Sequence, residues 1–343
     1  MAIEFFDGFE FGKKPEWGAF SGGVYIAADS PRFGTYSLMS SQNSIIFLNL
    51  PPSPKKTIGF AMRMNSANVL TRADNQLMGA YSGGIGHFCM RFDTSGHIEV
   101  RRGEYNGTVL ATSTQVWNTW GTYRYIEMQG TIDDAAGRVV VKVDGVTWID
   151  FTGDTRNGGS NTNIDQFGFM WTGSADGRID DMYVTNGTDD TATTGRPDNS
   201  FLGDVKVEVL IPNADGTTNQ WVGSDGNSAA NWDLVNEVPV NTSDYTGSST
   251  VGQRDMWGMT NVGAQTSTVF AVQPAVYAAK DDAGAATIKI IHTDGSGTVV
   301  SSTDKALSTG YDYYWDDLRK VRPGGGAWTA TEANVLQVGV EKS

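Results

Sequence analysis

The chain has 343 residues and carries 25 Lys and Arg against 39 Asp and Glu, a formal net charge of -14. At roughly 150 residues per domain this length points to two domains, and 15 Phe, 12 Tyr and 10 Trp supply bulky side chains for their cores. The acidic surface repels phosphate backbones and sets nucleic acid aside as a partner, while the single cysteine, Cys89, excludes an intrachain disulfide and a four-cysteine zinc site.

The opening residues Met1 to Asp7 lack a basic stretch followed by an apolar run, so no secretory signal is expected, and no segment approaches the 18 apolar residues of a membrane span. Period-two alternation then predicts short strands at Ile45–Leu48, Thr57–Met64, Phe88–Asp93, Ile98–Arg102, Tyr123–Met128, Val139–Val143, Thr147–Phe151, Phe167–Met170 and Arg178–Val184. Turns are read at Asp93 to Gly96, Asn106-Gly107, Asp144-Gly145 and Asp176-Gly177. Of these, Asp144-Gly145 between β-branched runs is the clearest two-residue hairpin.

From Asn186 to Pro197 no large apolar side chain occurs, which marks a linker over residues 187–200 between a first domain, 1–186, and a second, 201–343. In the second domain strands are predicted at Val205–Ile211, Val269–Lys280, Thr287–His292 and Val335–Val340, with a long polar stretch from Asn213 to Gly252. Pro274 puts the second of these at an edge or bulge. Thr329 to Glu332 has capping-box spacing and predicts one helical turn before the last strand. The fold class is therefore all-β, two antiparallel β-sandwich domains in tandem.

Candidate chemistry is sparse. Glu4, Asp7 and Glu10 approach the acidic pattern of β-sandwich glucanases, but Glu4 and Asp7 are three apart and point to opposite faces of a strand. Asp180-Asp181 reads as a structural, hydrogen-bonded carboxylate, with a calcium ligand as the open alternative, because the spaced acids of a calcium loop are missing; the loop Asp154 to Asn161 has oxygens but few carboxylates. His87, His97 and His292 lack metal-pair spacing, Cys89 reads as a small buried residue, and Gly83 to Gly86 and Gly324 to Gly326 read as turns rather than phosphate loops. No catalytic residue, cofactor or metal site is assigned. Trp221, Trp232, Tyr245 and Trp257 lie in polar loops, and Tyr311, Tyr313 and Trp315 share one strand face; a sugar-binding surface is weighed for these rings against core packing, which is favoured.

Residues 1–186 resemble the laminin-G-like, concanavalin A-like lectin jelly roll through Phe6 to Glu10, Gly34 to Leu38, Val141 to Gly145 and Gly177 to Val184. Residues 201–343 resemble a module of tailed-bacteriophage structural proteins through Phe201 to Glu208, Pro212 to Gly216, Gln220-Trp221 and Ala327 to Val340. The resemblance implies a non-enzymatic, tail-associated virion protein, assembled in host cytoplasm. It would bind a host surface glycan or a neighbouring virion subunit through many copies, most plausibly as a trimer. A capsid decoration protein is the alternative within that class, and a polysaccharide depolymerase the alternative outside it.

Overall fold

In the computed structural model, which describes residues 3–18, 23–40, 44–71, 76–171, 177–189, 191–194 and 200–343, alternation becomes antiparallel pairing at every ladder. The protein is all-β and divides into two compact units, Met1–Asp190 with Pro197–Val207, and Thr191–Arg196 with Glu208–Ser343.

The first unit is a sandwich of two sheets. One runs in the order Val146–Gly153, Gly137–Val143, Tyr123–Thr131, Lys55–Met64, Gly177–Thr185, Ser37–Ser40, Val24–Ala27, with Ile3–Asp7 also paired to Gly177–Thr185. The other runs Ser44–Ser53, Ile164–Trp171, Gln76–Ser82, Ile85–Phe92, His97–Arg102, Thr108–Val116. Alternate residues of both, such as Ile58, Phe60 and Met62 on one and Met78, Phe88 and Met90 on the other, share one buried apolar core. Phe60 and Phe169 meet edge to face at 5.4 Å, a favoured aromatic geometry.

The strands predicted between residues 45 and 184 all form, and the Asp144-Gly145 turn has the two positive φ values, 50° and 77°, of a type I′ hairpin. Of the predicted turn Asp176-Gly177, Asp176 lies outside the described residues. Two of the strands without a sequence forecast show a physical reason for it. Gln76–Ser82 is buried at every position and shows no polar alternation, whereas the edge strand Thr108–Val116 is largely exposed and its apolar residues do not alternate with polar ones.

In the second unit a sheet runs Pro212–Asn219, Arg254–Met259, Gln337–Lys342, Thr287–Thr293, Val300–Ser301, with Lys305–Ala306 also paired to Thr287–Thr293. A two-stranded ribbon, Ala275–Ala278 with Asp312–Trp315, contributes Val276 and Tyr314 to a core containing Ile290, Trp328, Leu336 and Val338. Thr329 caps the turn Ala330–Ala333 by accepting from Thr331 N–H at 3.2 Å and donating to Glu332, as its spacing predicts. Of the predicted strand Val269–Lys280 only Ala275–Ala278 forms a strand, directly after Pro274, with Val272 in an isolated bridge to Arg319, and the polar stretch from Asn213 holds a strand as far as Asn219.

One predicted strand is corrected. Val205–Ile211 has no ladder, and Ser200–Val207 instead lies as a strap on the outer face of the first unit's eight-stranded sheet. Its donors go to side chains: Leu202 N–H to the Tyr183 hydroxyl at 2.9 Å, Gly203 N–H to Glu127 at 2.8 Å and Val207 N–H to Asp181 at 2.7 Å. The predicted boundary at residue 201 therefore moves to 207, since buried carboxylates satisfy this backbone in place of a neighbouring strand.

Candidate functional site

The acidic residues weighed for catalysis do not converge. Glu4 pairs with Lys56, Asp7 accepts from Phe9 N–H and Trp17 Nε1, and Glu10 accepts from Thr35 and Tyr36 N–H. Asp180 and Asp181 are fully occupied as well. Asp180 accepts from the backbone of Arg32 and Asp181, and Asp181 from Val207 N–H and from Arg32 at 3.1 Å. Burial, followed by the Asp181 charge, pushes Asp180 up to about 8, and burial pushes Asp181 up to about 6. Among the described residues no group of three metal-ligating side chains forms, and this pair serves the strap.

The other candidates are dispersed. His97 pairs with Asp93 beside a turn, His87 Nδ1 accepts from Asn157 N–H, and His292 is buried 3.6 Å from Asp316. Burial holds the His292 imidazole down at about 4, so the ring is neutral at neutral pH and shut away from solvent, and raises the Cys89 thiol to about 12, which keeps it protonated rather than a thiolate nucleophile. In the loop from Asp154, Arg102 and Asp134 take Asp154 and Arg156 as partners. Asn161 joins Ser82, Asn163 and Asp165 along a polar cleft of about 300 Å³ holding one carboxylate, which already accepts from Gly83 N–H.

The aromatic residues separate into two populations. Trp221 and Trp257 are core, with Trp232 packed against them, as the sequence favours, whereas Tyr245 is 50% exposed and lies outside both the core and the two-stranded ribbon. Tyr311, Tyr313 and Trp315 do share one face, and the structure adds Tyr277, directly opposite Tyr313 on the ribbon. The four rings form an unbroken row: Tyr311 stacks on Tyr277 at 5.3 Å, Tyr277 meets Tyr313 at 4.7 Å, and Tyr313 meets Trp315 at 5.9 Å. Alternation explains the row, because Val276, Ala278 and Tyr314 turn into the core and send their neighbours outward. None of the four rings belongs to the buried core, and Tyr311 is 41% exposed. Tyr277 escaped the sequence reading because pairing across 36 residues of chain is invisible to periodicity; the Tyr-x-Tyr-x-Trp spacing was the one local signal.

No family model matches the chain, and no curated protein matches it. Among solved structures, the cellulose-induced protein Cip1 is 14% identical with a TM-score of 0.39, over 53% of this chain and 96% of that one. Alginate lyase Aly36B is 12% identical with a TM-score of 0.33, over 47% of this chain and 82% of that one. A Trypanosoma rangeli sialidase mutant is 12% identical with a TM-score of 0.34, over 49% of this chain and only 29% of that one. Similarity at this level assigns no activity to the chain. The proteins matched are named for cellulose, alginate and sialic acid rather than as virion parts, and the expected virion function, tail-borne or capsid-decorating, is withdrawn.

Proposed function

We propose that the protein recognises polysaccharide, and that the aromatic row of the second unit is the surface that does so. The observation that carries this is the continuity of four rings on the outward face of a two-stranded ribbon. Flat apolar rings with polar tips suit sugars, whose C–H faces pack on the ring while their hydroxyls stay in water or meet the tyrosine hydroxyls. Binding without cleavage is the chemistry this geometry supports, since Glu4, Asp7 and Glu10 are each held by structural partners. Affinity electrophoresis through gels cast with different soluble polysaccharides tests the reading, alongside a reducing-end assay on the same polymers. Retardation by at least one polymer without new chain ends is the expected result; free migration in all of them refutes recognition, and new chain ends refute binding without cleavage.

A further inference from the structure

Resting on that reading, the surroundings of the row narrow the ligand: we infer that it takes a neutral glycan chain of several sugar units and rejects polyuronates and other polyanions. Length comes first. Tyr313 and Trp315 alternate along the strand Asp312–Trp315 and Tyr311 stands just before it at the same spacing, so the row extends about 13 Å at roughly 3.3 Å per residue. That exceeds one pyranose ring, and the occupant is an oligosaccharide segment lying along the strand.

Charge comes second. Every acidic residue that borders the row in sequence, except the buried Asp316, is exposed: Asp317 beyond Trp315, Asp281 and Asp282 beyond the Tyr277 strand, and Asp312, which pairs with Ala278 and lies on the other face of the ribbon. The nearest cations in sequence are engaged elsewhere. Arg319 makes two hydrogen bonds to Asp316, at 2.9 and 2.7 Å, and Lys280 donates to the Gly284 carbonyl at 2.5 Å. The wider field has the same sign, with 17 acidic and 9 basic residues in 201–343. Carboxylates repeated along a polymer would approach a surface of like sign, an opposition screened over a Debye length of about 8 Å at physiological salt. A neutral chain meets no such opposition and gains the same ring contacts.

The test uses the full chain in gels containing glucan, mannan or galactan, each as the neutral polymer and as its carboxymethyl derivative. The expected result is retardation by at least one neutral polymer, little dependence on salt, and free migration through its carboxymethyl partner at low salt. Tyr311→Ser is expected to weaken retardation about tenfold and Tyr311→Phe to preserve it, with unchanged circular dichroism in both. Equal or stronger retardation by the carboxymethyl polymer, lost in Tyr311→Ser, overturns the neutral preference while leaving recognition by the row standing. Retardation that survives Tyr311→Ser combined with Trp315→Ser, or absence of retardation in every gel, overturns the row as the binding surface and this inference with it.

Discussion

Replacing Gly59 by alanine is expected to loosen the strap that closes the first unit. Gly59 lies between Glu127 and Tyr183 in the eight-stranded sheet, and a Cβ there would stand 2.1 Å from Tyr183 Cε1. The Tyr183 ring cannot tilt away without cost. It stacks on Tyr125 at 6.5 Å, its hydroxyl donates to Glu127, and the same oxygen accepts from Leu202 N–H of the strap. Overpacking costs about 1–3 kcal/mol, and a hydrogen bond to a charged group about 1.5–3 kcal/mol. The gain from replacing glycine in a strand is roughly 0.5–1 kcal/mol. A net loss of about 1.5–5.5 kcal/mol remains, enough to lower the first unit's melting temperature by several degrees at roughly 2–4 °C per kcal/mol. Calorimetry reads the melting, and limited proteolysis between residues 200 and 207 reads the strap. In a Tyr183→Val background the same substitution should cost almost nothing, because the clash has been removed. An unchanged melting temperature for Gly59→Ala, or an equal loss in both backgrounds, would falsify this reasoning.

The Asp180–Asp181 pair makes the first unit's stability depend on pH. Both groups titrate above the ordinary aspartate value of 3.8, so their contribution is complete below that value and is lost as pH rises through about 6 to about 8. The melting temperature should fall across that window, and Asp180→Asn should flatten the slope; a rising wild-type curve contradicts the assignment. His292 has the opposite sign: its lowered value makes its contribution full above the ordinary 6.5 and lost as pH falls through about 4, which an NMR titration of the imidazole resolves. Titration near 6.5 would mean the ring is not buried as described. Cys89, fully buried with its thiol raised, should resist alkylation in the native protein and react once denaturant is added; labelling without denaturant would place it at the surface.

Local chemistry was legible where one stretch of chain decides its own conformation. Asp144-Gly145 required positive φ, Thr329 and Glu332 had the spacing to cap a turn, and alternation from Lys55 to Val184 reported the sandwich core. Legibility failed where distant partners decide. Val205–Ile211 has strand composition, yet the strap's hydrogen bonds run to Tyr183, Glu127 and Asp181, which sequence spacing cannot connect to it. Asp180-Asp181 was readable as a structural carboxylate pair, while its role in holding the strap was not. The aromatic face was half visible: Tyr311, Tyr313 and Trp315 have alternating spacing, but core packing was favoured because the outward direction of their side chains depends on Val276 and Tyr314 facing inward. The resemblance to virion proteins rested on short segments at both ends of the second domain, and no family model matches the chain.

The most direct test of the central claim is a titration of the protein, labelled with ¹³C at the tyrosine rings, with a short oligosaccharide cut from a polymer that retards it. Recognition by the row requires the Tyr277, Tyr311 and Tyr313 ring signals to shift together and saturate with one affinity, while Tyr125 and Tyr183 beneath the strap stay still. Binding that leaves the three ribbon tyrosines unmoved and shifts rings of the first unit instead would contradict the account.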